Sequence, residues 1–148
     1  VTASGTLAAL ESAMTAAFPG GNILDDPMRQ NFVRPAVYIE HIRTSERGDN
    51  AKLVQCTGYW LITLFPELDE YRDCDRAALY TMQDAVLNAL RGGFLPVGDR
   101  ALGLQASTGG SEDDRAYIDL QLSYFDDRSD AADTAPKMGE VHTNIKEA

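Results

Sequence analysis

Two histidines, His41 and His142, and two cysteines, Cys56 and Cys74, are the side chains best suited to metal binding or nucleophilic catalysis in this chain. A general base needs a positioned partner within hydrogen-bond reach. His41 stands in a strand-like stretch (AVYIEHIR) with no such partner in sequence, and His142 lies near the end of the chain. A packed or half-exposed strand residue is the plainer reading of His41. Cys56, Cys74 and His41 could meet at a metal only through the fold, because no Cys-x-x-Cys or His-Glu-x-x-His spacing is present. The run Glu67, Asp69, Glu70, Asp73 and Asp75 has the charge for Ca²⁺. It lacks the alternating ligands, central Gly and terminal Glu of an EF-hand loop, and it reads as a solvated helix start. Gly109-Gly110 is followed by no Gly-Lys-Ser/Thr, so it is no phosphate loop. Tyr59, Trp60, Tyr117, Tyr124 and Phe125 recur at strand period. They read as core and not as a base-stacking platform, since basic residues to hold phosphates are missing beside them. The expectation is a protein with no catalytic residue, no metal and no cofactor.

Charge and length narrow the classes further. The chain carries 23 acidic against 13 basic residues, a net charge of -10 over 148 residues. That balance disfavours wrapping nucleic acid, which needs clustered Lys and Arg. It suits solubility, or a surface that must not stick to DNA. The length fits one domain, and 44% apolar residues suffice for a core. No apolar run approaches the ~20 residues needed to span a bilayer, and no signal-peptide pattern is visible. Two cysteines are too few for a secreted disulfide scaffold, so synthesis in a cytoplasm with both thiols reduced is expected.

The elements follow from periodicity and breakers. Residues 6–18 (TLAALESAMTAAF) place Leu7, Leu10, Met14 and Phe18 on one helical stripe, with Ser4 or Thr6 as the cap and Pro19-Gly20-Gly21 as the stop. Residues 22–25 read as a short edge strand, and 28–34 as at most one helical turn. Residues 36–43 alternate as a strand, and polar residues 44–53 read as the hairpin turn after it. Residues 54–65 form a long strand, roughly 40 Å at ~3.4 Å per residue. One face carries Val54, Cys56, Gly58, Trp60, Ile62 and Leu64; the other is also apolar beyond Tyr59, which predicts a central position. A second helix follows, capped by Asp69 or Asp73, with Leu79, Met82, Val86 and Leu90 buried and Arg91 in its last turn. Residues 94–99 read as a loop, 100–107 as a strand, 108–114 as a turn, and 115–125 as a strand with Ile118, Leu120, Leu122 and Tyr124 facing in.

The sum is an α+β fold: an antiparallel sheet of about four strands with two helices packed on one face, and an extended C-terminal tail. Residues 1–125 would be the α+β domain and residues 126–148 an acidic linker and tail. The uncovered sheet face, with Thr57, Tyr59, Thr63, Tyr117 and Gln121, looks suited to a subunit contact. In the tail, Met138, Val141 and Ile145 are spaced to dock on a surface.

The order of these motifs resembles the phage tail terminator (tail completion) family. The similar pieces are a first helix ending in FPGG, the stretch NILDD, QNFVRPAVYIEHI, an aromatic strand closing in ITLFP, an acidic start into a long helix, a last hairpin ending in YIDLQLSYF, and MGEVHTNI near the end. The resemblance implies a structural virion protein, made in the host cytoplasm and placed at the neck end of the virion tail. It implies a ring, usually a homohexamer, that caps the tail tube and joins it to the head–tail connector or another neck protein. In contractile particles the same ring would also meet the sheath protein. Genomic DNA would pass through the lumen without specific binding, and no membrane is involved.

On that reading, Arg47, Asp49, Lys52, Tyr59, Tyr117, Met138, Val141 and Ile145 are expected at subunit or partner interfaces. Glu46, Asp49, Glu67, Asp69 and Glu70 are the acidic residues expected to face the channel, where like charge would keep DNA from adhering. Two other classes stand beside it. One is a head-completion or connector adaptor of the same neck, which would bind portal or connector and not tube protein. The other is a small cytosolic enzyme or ligand-binding domain, which would need a concave polar pocket.

Overall fold

The computed structural model describes residues 1–24, 33–72 and 74–127. Helix α1 (Ala3–Ala17) starts where Thr2 caps it, its hydroxyl accepting the Gly5 N–H at 3.0 Å. The cap is thus earlier than the expected Ser4 or Thr6. Thr6 lies buried inside the first turn, and its hydroxyl donates to the Thr2 carbonyl. Leu10 and Met14 of the expected stripe are fully buried. Strand β1 (Asn22–Leu24) follows, then β2 (Ala36–Gly48), β3 (Leu53–Phe65), α2 (Arg76–Ala89), β4 (Phe94–Val97), β5 (Arg100–Glu112) and β6 (Arg115–Asp127). The expected segment 28–34 falls mostly outside the described residues, as do Asp25, His142 and the docking positions Met138, Val141 and Ile145.

The strands form one six-stranded mixed sheet in the order β1-β2-β3-β6-β5-β4. This corrects the expected four antiparallel strands. β1 joins parallel to β2 through residues 22–24 against 36–38, and every other pairing is antiparallel. β4 occupies residues expected as a loop, because Pro96 interrupts any strand pattern there. A proline is tolerated on an edge strand, where one side of the ladder needs no donor. β2 and β5 both run farther than their apolar patterns reach. The expected turn 44–53 shrinks to residues 49–52, and the expected turn 108–114 to residues 113–114. Beyond Ile39, β2 is almost wholly exposed, so no alternation marks it as a strand. It is held there by backbone pairing to β3 up to Gly48↔Val54.

β3 is central, as its two-sided apolar pattern requires. Cys56, Trp60, Ile62 and Leu64 share its helix-facing side and are buried. Val37, Ile39, Ile118, Leu120 and Leu122 flank them and meet Leu10, Met14, Leu79, Met82 and Val86 from the two helices in one core. At ~25 cal/mol per Å² of apolar surface removed from water, this face supplies most of the driving force for folding. α2 is capped by Asp75, whose carboxylate accepts the Ala77 N–H at 3.3 Å. The cap is therefore not Asp69; Asp73 lies outside the described residues. The helix ends at Ala89 with Leu90 as its C-cap, so Arg91 falls beyond it and not in its last turn. Gly93 then takes a left-handed φ of 79°, which a side chain rarely adopts, and turns the chain into β4.

Candidate interaction surfaces

Both helices cover the same face of the sheet, and no described element covers the other. That open face is built by the alternate residues of β3 and β6. The register sets Gln55 beside Phe125, Thr57 beside Ser123, Tyr59 beside Gln121, and Thr63 beside Tyr117. The residues read as a mixed surface therefore do lie together. Arg43 of β2, which sequence reasoning passed over, lies over the Tyr59 ring at 4.3 Å, a cation–π contact worth ~0.5–1 kcal/mol at an exposed site. The signal for it was the β2–β3 register, which sets Arg43 directly beside Tyr59. Just before it, a bulge at Ile42 shifts the ladder and leaves that side chain 51% exposed.

One corner of the open face is closed by charge. The Arg34 guanidinium donates to the carbonyls of Pro66 at 3.3 Å and Asp114 at 2.9 Å, and to the Asp114 carboxylate at 3.1 Å. Arg115 donates to the same carboxylate at 2.9 and 3.2 Å. Both guanidinium groups lie over the Phe65 ring, at 5.3 and 5.1 Å from its centre, and Phe65 is 1% exposed as a result. The hydrogen bonds from Arg115, and then those from Arg34, hold the Asp114 carboxyl below its ordinary range despite partial burial. The clamp ties the segment before β2 to the β5–β6 turn. Nothing in the spacing of Arg34 and Asp114 announces it, since they are far apart in sequence.

The candidate interface residues Arg47, Asp49 and Lys52 sit at the β2–β3 turn. There Asn50 accepts the Lys52 and Leu53 N–H groups at 2.8 and 2.9 Å. Tyr59 and Tyr117 lie on the open face, and the Tyr117 hydroxyl donates to Glu112 at 3.2 Å. The acidic candidates split into two groups at opposite ends of β3. Glu46 and Asp49 lie by its start, Glu46 beside Cys56, whereas Glu67, Asp69 and Glu70 follow its end at Phe65. In the latter turn the Asp69 carboxylate accepts the Tyr71 N–H at 2.8 Å. A strand of 13 residues separates the groups by roughly 40 Å at ~3.4 Å per residue, so they cannot form one acidic belt.

His41, Cys56 and Cys74 are dispersed. His41 Nε2 is 2.8 Å from the Thr44 hydroxyl, and its ring lies 4.7 Å from Trp60. Cys56 is buried on β3 opposite Tyr124, and burial pushes its thiol pKa up. Cys74 lines a small hollow with Arg76 and Ser111 at the other end of the sheet, so the two cysteines and His41 do not converge. Among the described residues no group of three His, Cys, Asp or Glu is placed to hold a metal, and no helix is long and apolar enough to cross a membrane. A shallow hollow of about 480 Å³ lies between β4, β5 and β6, edged by Phe94 and Phe125 over Gly103. These two rings, 67% and 45% exposed, extend the open face toward the β4 side. A search of curated proteins finds no match to the chain. The family model for phage tail terminator protein matches residues 7–134.

Proposed function

Since the chain belongs to the phage tail terminator family, a family of structural tail components, we propose that it is the subunit of a ring that caps the tail tube and joins it to the head–tail connector. The observation that carries this reading is the family match across both helices and the whole sheet. The geometry supports it in two ways. The open face offers Tyr59, Tyr117 and Phe125 beside Gln121, with Arg43 over the Tyr59 ring; aromatic and Arg side chains are the types enriched where proteins meet. The two sides of the sheet are also unlike each other, as a ring built from one kind of contact requires.

In this reading the β2–β3 turn, with Arg47, Asp49 and Lys52, reaches toward one neighbour along the tail axis. The turn bearing Glu67, Asp69 and Glu70 reaches toward the other. Tube protein takes one end and the neck protein the other, with sheath protein added in a contractile particle. The acidic residues form two separate tiers facing the passing DNA, and the tail positions Met138, Val141 and Ile145 supply a further contact. The test is the mass of the full chain in solution, alone and with its particle's tube protein, by light scattering with negative-stain imaging. Rings of about six copies, or rings formed on tube ends, are expected. A subunit that ignores tube ends and binds portal or connector instead would move the protein elsewhere in the neck.

A further inference from the structure

The hollow between β4, β5 and β6 is walled by two rings that the fold leaves in water, Phe94 at 67% and Phe125 at 45% exposure. The register sets Phe94 beside Gly103, and Gly103 beside Ser123. The fold does not require glycine at 103. A Cβ there would meet the Ser123 carbonyl oxygen at 3.5 Å and the Ser123 Cβ at 3.8 Å, both ordinary contacts, and the residue does not take a positive φ. The missing side chain leaves depth between the rings. Apolar surface gathered at a hollow marks a binding place, whereas a single exposed apolar residue does not.

The place where the chain leaves the sheet points to the occupant. β6 ends at Asp127, two residues after Phe125. Asp126 is held by Arg100 at 2.7 Å and by the N-terminal amine at 3.4 Å, so the exit is fixed beside Asp99 and Arg100, which line the same hollow. Residues 128–148 follow, and their large apolar side chains are Met138, Val141 and Ile145, grouped after a polar run. The connection 128–137 reaches roughly 35 Å when extended, at ~3.3–3.6 Å per residue. That exceeds the width of three strands spaced ~4.8 Å apart. A connection this short keeps the segment near its own sheet at an effective concentration of roughly millimolar. Met138 also suits the walls, because a thioether adapts to irregular gaps and packs favourably on aromatic rings.

We propose that Met138, Val141 and Ile145 fold back over this hollow of their own chain, with Met138 against Phe94 and Phe125. Their spacing of three and four puts the three side chains on one side of a helical turn, which matches a hollow open on one side. The three positions lie beyond residues 7–134 matched by the family model, and the contact does not rest on the ring reading. It covers the β4 side of the open face and leaves Tyr59 and Gln121, which do not line the hollow, for other partners.

The test uses the full chain with carbon-13 in its methionine methyl groups, the Met138 signal being the one lost in Met138→Leu. Ring currents from Phe94 and Phe125 should move that signal upfield of its position in a peptide of residues 128–148. Phe94→Ala removes one wall, and Gly103→Leu fills the floor without backbone strain. Each should return the signal to the peptide position while the buried Met14 and Met82 signals stay in place and report an intact core. Phe94→Ala decides the matter if Gly103→Leu folds poorly. A wild-type signal already at the peptide position would overturn the proposal. So would a shift that both variants leave untouched, which would place the segment elsewhere, such as the hollow between α1 and β4 lined by Ala8, Ala13 and Leu95. Labelled Phe94→Ala chains mixed with excess unlabelled wild type should stay at the peptide position; recovery of the shift there would give the hollow to another copy's segment and overturn the contact within one chain. None of these outcomes depends on whether rings form, which the mass measurement reads separately.

Discussion

The two faces of the sheet are made by alternate residues of the same strands, yet they are stabilised by different physics. On the helix side, Ile62, Leu64, Ile118 and Leu122 are 0% exposed against α1 and α2. On the other side, Thr57, Tyr59 and Gln121 are only half-buried, and the one fully buried ring, Phe65, is covered by two guanidinium groups. Burial on the first side makes the fold. The second contributes less to the fold itself, and this separates residues whose change should unfold the chain from residues whose change should leave it folded.

The sharpest way to break that contrast is to cut the covered face. Leu64→Ala should cost ~2–5 kcal/mol of unfolding free energy, because the cavity it leaves cannot collapse between helix and sheet; denaturant melts measure it. Arg34→Ala should cost less, ~1–3 kcal/mol, by removing charge-assisted bonds to Asp114 and uncovering Phe65. The same clamp predicts a pH dependence. Its two arginine partners hold the Asp114 carboxyl below its ordinary range, so its contribution is complete above the ordinary carboxylate range and lost as pH falls through the folded pKa. Asp114→Asn should flatten stability against pH in that acid window and leave it unchanged in slope near neutrality. Asp75→Ala should cost about 1 kcal/mol as a lost helix cap. The smallest effect on the monomer is expected on the open face. Tyr59→Ala should shift stability by no more than ~0.5–1 kcal/mol, and under the proposed ring reading it should lower the fraction of protein in rings or on tube ends. A large loss of stability there would erase the distinction between the faces.

What could be read from sequence tracks the same contrast. The buried side of β3, the stripe of α2 and the inward set of β6 were legible because water imposes alternation wherever one face is covered. β4 and the outer halves of β2 and β5 were not. Residues 44–48 and 109–112 are exposed or nearly so, and nothing in their side chains distinguishes a solvated strand from a turn. The parallel addition of β1 is set by the chain's path between residues 24 and 36, and that leaves no periodic mark. At the surface, Tyr59, Tyr117 and Gln121 were legible as strand residues with mixed character. Arg43 became visible only with the register. The Arg34–Asp114–Arg115 clamp rests on a contact across 80 residues, which no local pattern encodes.

The strand order also has a kinetic meaning. Elements α1 through β3 and elements α2 through β6 are two consecutive halves of the chain, and the sheet joins them along the single ladder of β3 and β6. Each half holds a hairpin that closes over a short turn. The ladder between them pairs Leu64 with Ala116 and Leu53 with Asp127. Closing such distant pairs carries a loop-entropy cost that local hairpins avoid, so the search for this seam should pace folding. Until it zips, β3 and β6 are bare along the edges that will meet, and each half shows half of an apolar face. A newly made chain is therefore most exposed to mispairing with other chains before that seam has closed.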